Sequence, residues 1–187
     1  MRIFVFQENK YWGHILASQM EAKAMTNLDQ KIKNLEDKEA IQRLKQYYYC
    51  HCVDRTVAGD MQAIEETISR FADDMVIDFT GLPVVEGKDE VAAFYSQQVP
   101  KLLEWCHHRV MNEVIDIDGD TATGIWYFEC PGIFVEGNPF GLTGSGVVAG
   151  RYFEEFVRED GIWKWRKLVA KLDSSMVFAN QFELLSN

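Results

Sequence analysis

The order of the chain's periodicities constrains its fold more than any single motif: helical spacing comes first, and long two-residue alternation follows. From Asn27 onward, Leu28, Ile32, Leu35, Ile41, Leu44 and Tyr48 recur at helical intervals with charged residues between them. A second helix is expected over residues 61–71, a strand over 75–79, and a third helix from Gly87 to about Val99. Residues 103–117, 121–135, 146–157 and 162–176 then read as long strands. Asp118-Gly119-Asp120 and Glu159-Asp160-Gly161 are compact hairpin turns between two pairs of them. Helices followed by a run of antiparallel strands define an α+β domain and exclude a parallel α/β one. Gly144–Gly150 imitates a dinucleotide-binding loop, but that loop needs a helix after it. Here the alternating RYFEEFV follows, so the glycines are expected to form a flexible hairpin loop and a strand entry.

A length of 187 residues suits one domain large enough to bury a core and still enclose a pocket. The organisation expected is an N-terminal extension over residues 1–26 and a single domain over 27–187. A net charge of −10 excludes nucleic acid as a partner, since phosphate binding needs concentrated Lys and Arg. The apolar opening breaks at Gln7-Glu8-Asn9-Lys10, unlike a signal peptide, and no stretch reaches a membrane-spanning length. A cytoplasmic protein with no membrane partner is the expectation.

Cys50, Cys52, Cys106 and Cys130 are too few for a disulfide scaffold. Cys50-His51-Cys52 invites a metal, with His107 or Cys106 as further ligands. Residues two apart on a helix point to nearly opposite sides, however, and zinc sites favour wider spacing. Reduced, mostly buried thiols and no metal are expected.

The residues that carry chemistry are Tyr49 and Asp54 near a helix end, together with the strand-borne pair His107-His108. An imidazole oriented by a carboxylate, with a phenol nearby, can move protons on an organic substrate without a metal. One geometric difficulty stands: five residues is ~140° on an ideal helix, so Tyr49 and Asp54 converge only where the helix deforms.

The stretches AIQRLKQYYYCHCVD, FADDMVIDFTG, EGKDEVAAFY, HHRVMNEVIDIDGDTATGIWYFE and GRYFEEFVREDGIWKWRKL occur in unbroken order over residues 36–175. With them the chain resembles the SnoaL-like branch of the NTF2-like superfamily. That branch includes scytalone dehydratase, bile-acid 7α-dehydratase and hexachlorocyclohexane dehydrochlorinase types. The resemblance implies an NTF2-like cone-shaped α+β barrel, with N-terminal helices packed in a curved, mostly antiparallel sheet around a deep pocket. It places a helix tyrosine, a helix aspartate and a strand histidine at Tyr49, Asp54 and His108, leaving His107 on the opposite face. Where bile-acid dehydratases have an aspartate after this strand, the chain has Cys130, and Lys171 is the cation nearest their last-strand arginine. The resemblance also implies a homodimer or homotrimer.

Asp54 can fix one tautomer of His108, leaving the other ring nitrogen as base, and Tyr49 can donate to a substrate carbonyl. Trp126, Phe128 and Cys130 share one strand face and are candidate substrate-binding residues. Arg151 and Lys171 could meet an anionic substrate group or form surface ion pairs. The expected function is a cofactor-independent lyase, a dehydratase acting on a small, cyclic, apolar hydroxy-carbonyl compound. The alternatives are an isomerase or polyketide cyclase using the same dyad, or a non-catalytic ligand-binding module.

Overall fold

The computed structural model describes residues 25–139 and 141–179, and the expected N-terminal extension up to residue 24 lies outside them. The chain divides into two compact units, Met1–Glu39 and Ala40–Asn187. In the first, residues 25–39 are helical, and Lys33 pairs with Asp37 one turn on at 2.9 Å. The second unit carries the sheet.

It opens with helix α1 (residues 40–57), which is α-helical at both ends and π-helical over Leu44–His51. In that segment backbone bonds reach five residues along instead of four, so the helix is wider and turns less per residue. Ile41, Leu44, Tyr49 and Val53 face inward and are buried. Helix α2 (Ala63–Ile68) is fastened to it by the Thr67 hydroxyl, which donates to the Tyr48 carbonyl.

Next come β1 (Phe71–Phe79), β2 (Val85–Glu86) and α3 (Lys88–Ala93), whose helical course continues in π and then 3₁₀ turns through Val99–Lys101. The remainder is β3 (Leu103–Cys106), β4 (Arg109–Asp118), β5 (Thr121–Phe134), β6 (Gly144–Glu159) and β7 (Ile162–Val177). The sheet order is β2-β1-β7-β6-β5-β3, with β4 also paired to β5. Every pairing is antiparallel except β1 with β7. The sheet curls into a mixed half-barrel with the helices, an α+β architecture as expected. Its inner face and α1 share one core that includes Trp126, Phe128, Tyr152, Phe156, Trp165 and Leu168.

Three local departures have physical causes. The second helix is shorter than expected, and β1 starts at Phe71. Pairing with β7 shifts register between Phe71 and Val76, which turns Asp73 and Asp74 to solvent and hides the strand's alternation. The strand expected from Gly146 starts already at Gly144, so regular strand replaces the flexible loop expected ahead of the strand entry. A Cβ on Gly146 or Gly150 would collide with the carbonyl oxygen of Met176 or Lys171 in β7, so these glycines permit close strand approach. The tight turn between β6 and β7 is built as expected, with both Asp160 (φ 51°) and Gly161 (φ 77°) in the positive-φ region that a type I′ turn requires.

The third departure sets up the site. The single expected strand over 103–117 is two strands separated by His107 and His108. Cys106 pairs with Gly132 and Arg109 with Glu129, so the two histidines lie opposite Pro131 and Cys130. The His107 N–H donates to the Pro131 carbonyl at 3.0 Å, but proline has no N–H to return. The ladder is therefore interrupted at the point where His108 turns toward α1.

Candidate active site

Asp54, in the last turns of α1, holds His108 by both its ring and its backbone. The ring Nδ1 lies 2.6 Å from Asp54 Oδ1, and the His108 backbone N–H donates to Oδ2 at 3.0 Å and Oδ1 at 3.2 Å. The Cys106 thiol donates to the same Oδ1 at 3.3 Å. With Nδ1 committed to the carboxylate, Nε2 is the ring atom left for a ligand. The His108 side chain is 10% exposed and Asp54 19%, while His107 faces solvent. The strand alternation thus places the second histidine inward.

Tyr49 reaches this pair because of the wide helix. Its ring meets the His108 ring edge-on, with centroids 5.7 Å apart and planes 76° apart. The π-helical turns reduce the angular offset that five residues would impose on an ordinary helix. Burial pushes the Tyr49 phenol well above its usual range, and the neighbouring Tyr152 and Tyr95 add to this, so it is an O–H donor at any neutral pH.

Tyr49, His108, Phe128, Cys130, Tyr95 and Tyr152 contribute to the wall of one cavity of about 100 Å³. Phe128 and Tyr152 stack at 4.3 Å. Apolar neighbours such as Val53, Leu103 and Leu172 complete a wall that offers few polar groups beyond the phenols, the imidazole and the thiol. Trp126 is elsewhere: it lies further along the same buried strand face, with its indole toward Glu154 rather than in the cavity wall. Arg151 is paired with Asp173 at 2.9 Å and 41% exposed, and exposed Lys171 lies 6.0 Å from the Phe153 ring. Neither belongs to the cavity.

The electrostatics are unusual on both sides of His108. Burial by itself lowers an imidazole's pKa, but here Cys130 and the Asp54 carboxylate outweigh it and hold His108 well above its usual value. Reciprocally, the Cys106 thiol beside it and then the His108 imidazolium hold Cys130 well below the ordinary thiol range, against burial. Cys106 moves the other way and stays a thiol. Atoms of Cys106, His108 and Cys130 lie within 4.8 Å of one another, a set that in another setting could grip a soft cation. Here the Cys106 S–H and the His108 Nδ1 are both spent on Asp54 Oδ1. We therefore assign none of them as a metal ligand. Cys50 and Cys52 are buried, and the His51 ring stacks on Tyr47.

Beneath the cavity lies a group that sequence reasoning missed. Lys45 and Glu154 form an ion pair at 2.7 Å with both side chains fully buried. Lys45 Nζ also sits 3.8 Å from the Tyr49 ring centre and 3.3 Å from that of Tyr152. Burial lowers the Lys45 pKa and raises that of Glu154, and their pairing opposes both shifts. A signal was present: Lys45 occupies the i+4 position between buried Ile41 and Tyr49, and Glu154 the inward position between Tyr152 and Phe156.

Fold and site together define a helix-capped, curled-sheet domain with an acid–base cluster at its cavity. Residues 33–169 match the family model of the SnoaL-like domain, and the chain belongs to that family. Among solved structures, a type 2 hexachlorocyclohexane dehydrochlorinase (LinA) superposes with a TM-score of 0.71 at 22% identity, covering 82% of this chain and 97% of its own. LinA-type3 from Novosphingobium barchaimii gives 0.70 at 23% identity, with 83% and 99% covered. A protein provisionally named a scytalone dehydratase, from Novosphingobium aromaticivorans, gives 0.65 at 18% identity, with 81% and 93% covered. At these identities the likeness establishes the fold. No curated protein matches the chain in sequence. Among the described residues, no helix is long and apolar enough to cross a membrane.

Proposed function

We propose that the protein is a cofactor-independent lyase that dehydrates a small cyclic β-hydroxy-carbonyl compound. The observation that carries this reading is the 2.6 Å Asp54–His108 contact at the wall of an apolar cavity that also presents Tyr49. A non-catalytic module would have no need of an oriented imidazole there.

In this reading Tyr49 donates to the substrate carbonyl and His108 removes the acidic C–H proton beside it. The enolate electrons then expel the β-hydroxyl, which takes a proton from the imidazolium and leaves as water. Asp54 keeps Nδ1 protonated and stabilises the imidazolium formed midway. A base of this kind contributes about 10²–10⁴-fold, and the remainder falls to positioning in the cavity. The lyase names carried by similar structures accord with an elimination but do not specify the substrate. The cavity of about 100 Å³ is below the roughly 150 Å³ that admits benzene, so wall side chains move to admit even a single small ring. An isomerase or cyclase would begin with the same proton abstraction.

The test uses β-hydroxycyclohexanone in deuterated water. The reading requires loss of one water from the product mass, and Asp54→Asn should slow it. Deuterium uptake beside the carbonyl without loss of water would select an isomerase-type reaction instead. Neither event with any cyclic hydroxyketone offered would reject enzymatic proton abstraction. The same reading takes a homodimer or homotrimer as the working assembly, which sedimentation at micromolar concentration decides.

A further inference from the structure

We propose that Cys130, His108 and Asp54 form a nucleophile–imidazole–carboxylate triad that opens into the cavity and gives the protein a covalent acyl-transfer activity on small apolar esters. The proposal goes beyond the lyase reading and does not depend on it.

The geometry has the parts a thiol nucleophile needs. Cys130 and His108 are opposite each other on adjacent strands, and both line the cavity. A ligand atom of each lies within 4.8 Å of the other, a loose contact of the kind that tightens when substrate binds. Asp54 orients the imidazole from behind at 2.6 Å, as the third member of such a constellation does. Cys106 closes the rear of the site with its thiol on Asp54. An independent observation points to a ligand. The Tyr95 hydroxyl is buried in the same cavity wall, and although Tyr49 lies beside it, no hydrogen bond of acceptable geometry reaches it. A buried donor without a partner is costly, and a carbonyl oxygen in the cavity would satisfy it. The mutual shifts of Cys130 downward and His108 upward accord with a thiolate–imidazolium pair at rest.

The reaction balances without a further reagent. The Cys130 thiolate forms a C–S bond to the ester carbonyl carbon. The C–O bond to the alcohol breaks as the His108 proton passes to the leaving oxygen. Water then gives a proton to the neutral imidazole and attacks the thioester, the C–S bond breaks, and the acid departs as the thiolate returns.

The test needs no natural substrate. p-Nitrophenyl acetate should release one equivalent of nitrophenolate in a burst, with an acetyl group mapped by mass spectrometry to Cys130. Iodoacetamide should alkylate Cys130 nearly as fast at about pH 6.5 as at about pH 8.5, where an ordinary thiol loses about 50-fold. His108→Asn should restore that steep dependence while alkylation at high pH persists, which separates loss of activation from loss of access. Asp54→Asn, a conservative change, should weaken the low-pH reactivity in the same direction. The proposal is overturned if folded protein labels at Cys130 with an ordinary thiol profile, if that profile ignores His108, or if acetyl appears elsewhere. None of these results bears on deuterium uptake or water loss from β-hydroxycyclohexanone, so the two readings fail separately.

Discussion

Two ionisable pairs are anchored on the same helix at nearly the same contact distance: Lys45–Glu154 at 2.7 Å and Asp54–His108 at 2.6 Å. Their surroundings differ. Lys45 and Glu154 are sealed, with aromatic rings as their immediate company, and the Trp126 and Trp165 indoles turn toward Glu154 without bonds of good geometry. Asp54 and His108 are slightly ajar, and the imidazole forms part of a cavity wall. A sealed pair cannot exchange protons with a ligand, so its energetics are those of folding. An ajar pair keeps one ring nitrogen for chemistry. Burial and pairing alone therefore do not mark an active site; access from a cavity does.

The largest effect should come from breaking the sealed pair. Lys45→Met leaves Glu154 buried without a counter-charge and should cost about 3–5 kcal/mol in urea unfolding. The double variant Lys45→Met/Glu154→Leu should recover most of that loss, because two well-packed apolar groups need no solvation. If Lys45→Met kept its stability but lost turnover, the two pairs would have exchanged roles.

Asp54→Asn should do the reverse. Turnover of β-hydroxycyclohexanone should fall at least ~10²-fold, while the thermal midpoint changes little. The amide keeps the shape but loses the charge that stabilises imidazolium. Collapse of the fold would mean that Asp54 serves the helix end instead.

A smaller effect concerns pH. His108 is held above its usual pKa, so the imidazolium's pairing stabilises the fold fully below the unfolded value of ~6.5 and is lost as pH rises through the folded value. The free base appears over that same upper range, so turnover should climb with pH above neutrality. Cys130→Ala removes the larger of the two charges that raise His108, and the climb should move to lower pH. NMR titration of the His108 ring in both proteins checks the sign directly. An unmoved titration would detach Cys130 from the imidazole.

The smallest effect tests the outer surface. Arg151→Ala breaks an exposed pair with Asp173 and should change stability by less than about 1 kcal/mol and turnover not at all. A large loss of turnover would bring the outer face of the sheet into substrate binding.

The parts of the molecule legible in sequence are those governed by period alone. The alternation TATGIWYFEC gave β5 and its buried face, and the same rule put His108 inward and His107 outward. What escaped depends on partners far along the chain. The break in the ladder at the histidines traces to Pro131, and the two-aspartate bulge in β1 follows its pairing with β7. The convergence of Tyr49 with Asp54 needed a helix pitch that a 3.6-residue wheel cannot display. Lys45 escaped for a simpler reason: within DQKIKNLEDKEAIQRLK it resembles every other solvated lysine, and only its phase against Ile41 and Tyr49 sets it apart.

The π-helical segment Leu44–His51 has a consequence for how such a site can be lost. A π-turn holds more residues than an α-turn of the same span, so a one-residue deletion there would let the helix relax to ordinary pitch. Because the wide turn had absorbed the extra residue, the helix before and after it would keep roughly its facing, and the residues inside the turn would change theirs. Ile41 and Asp54 would still face as they do, yet Tyr49 would no longer converge with Asp54 and His108 on the cavity. The position of the phenol is stored as a count of residues, not only as the identity of one side chain. In a lineage of such domains, catalysis can be switched off by indels that spare every catalytic residue.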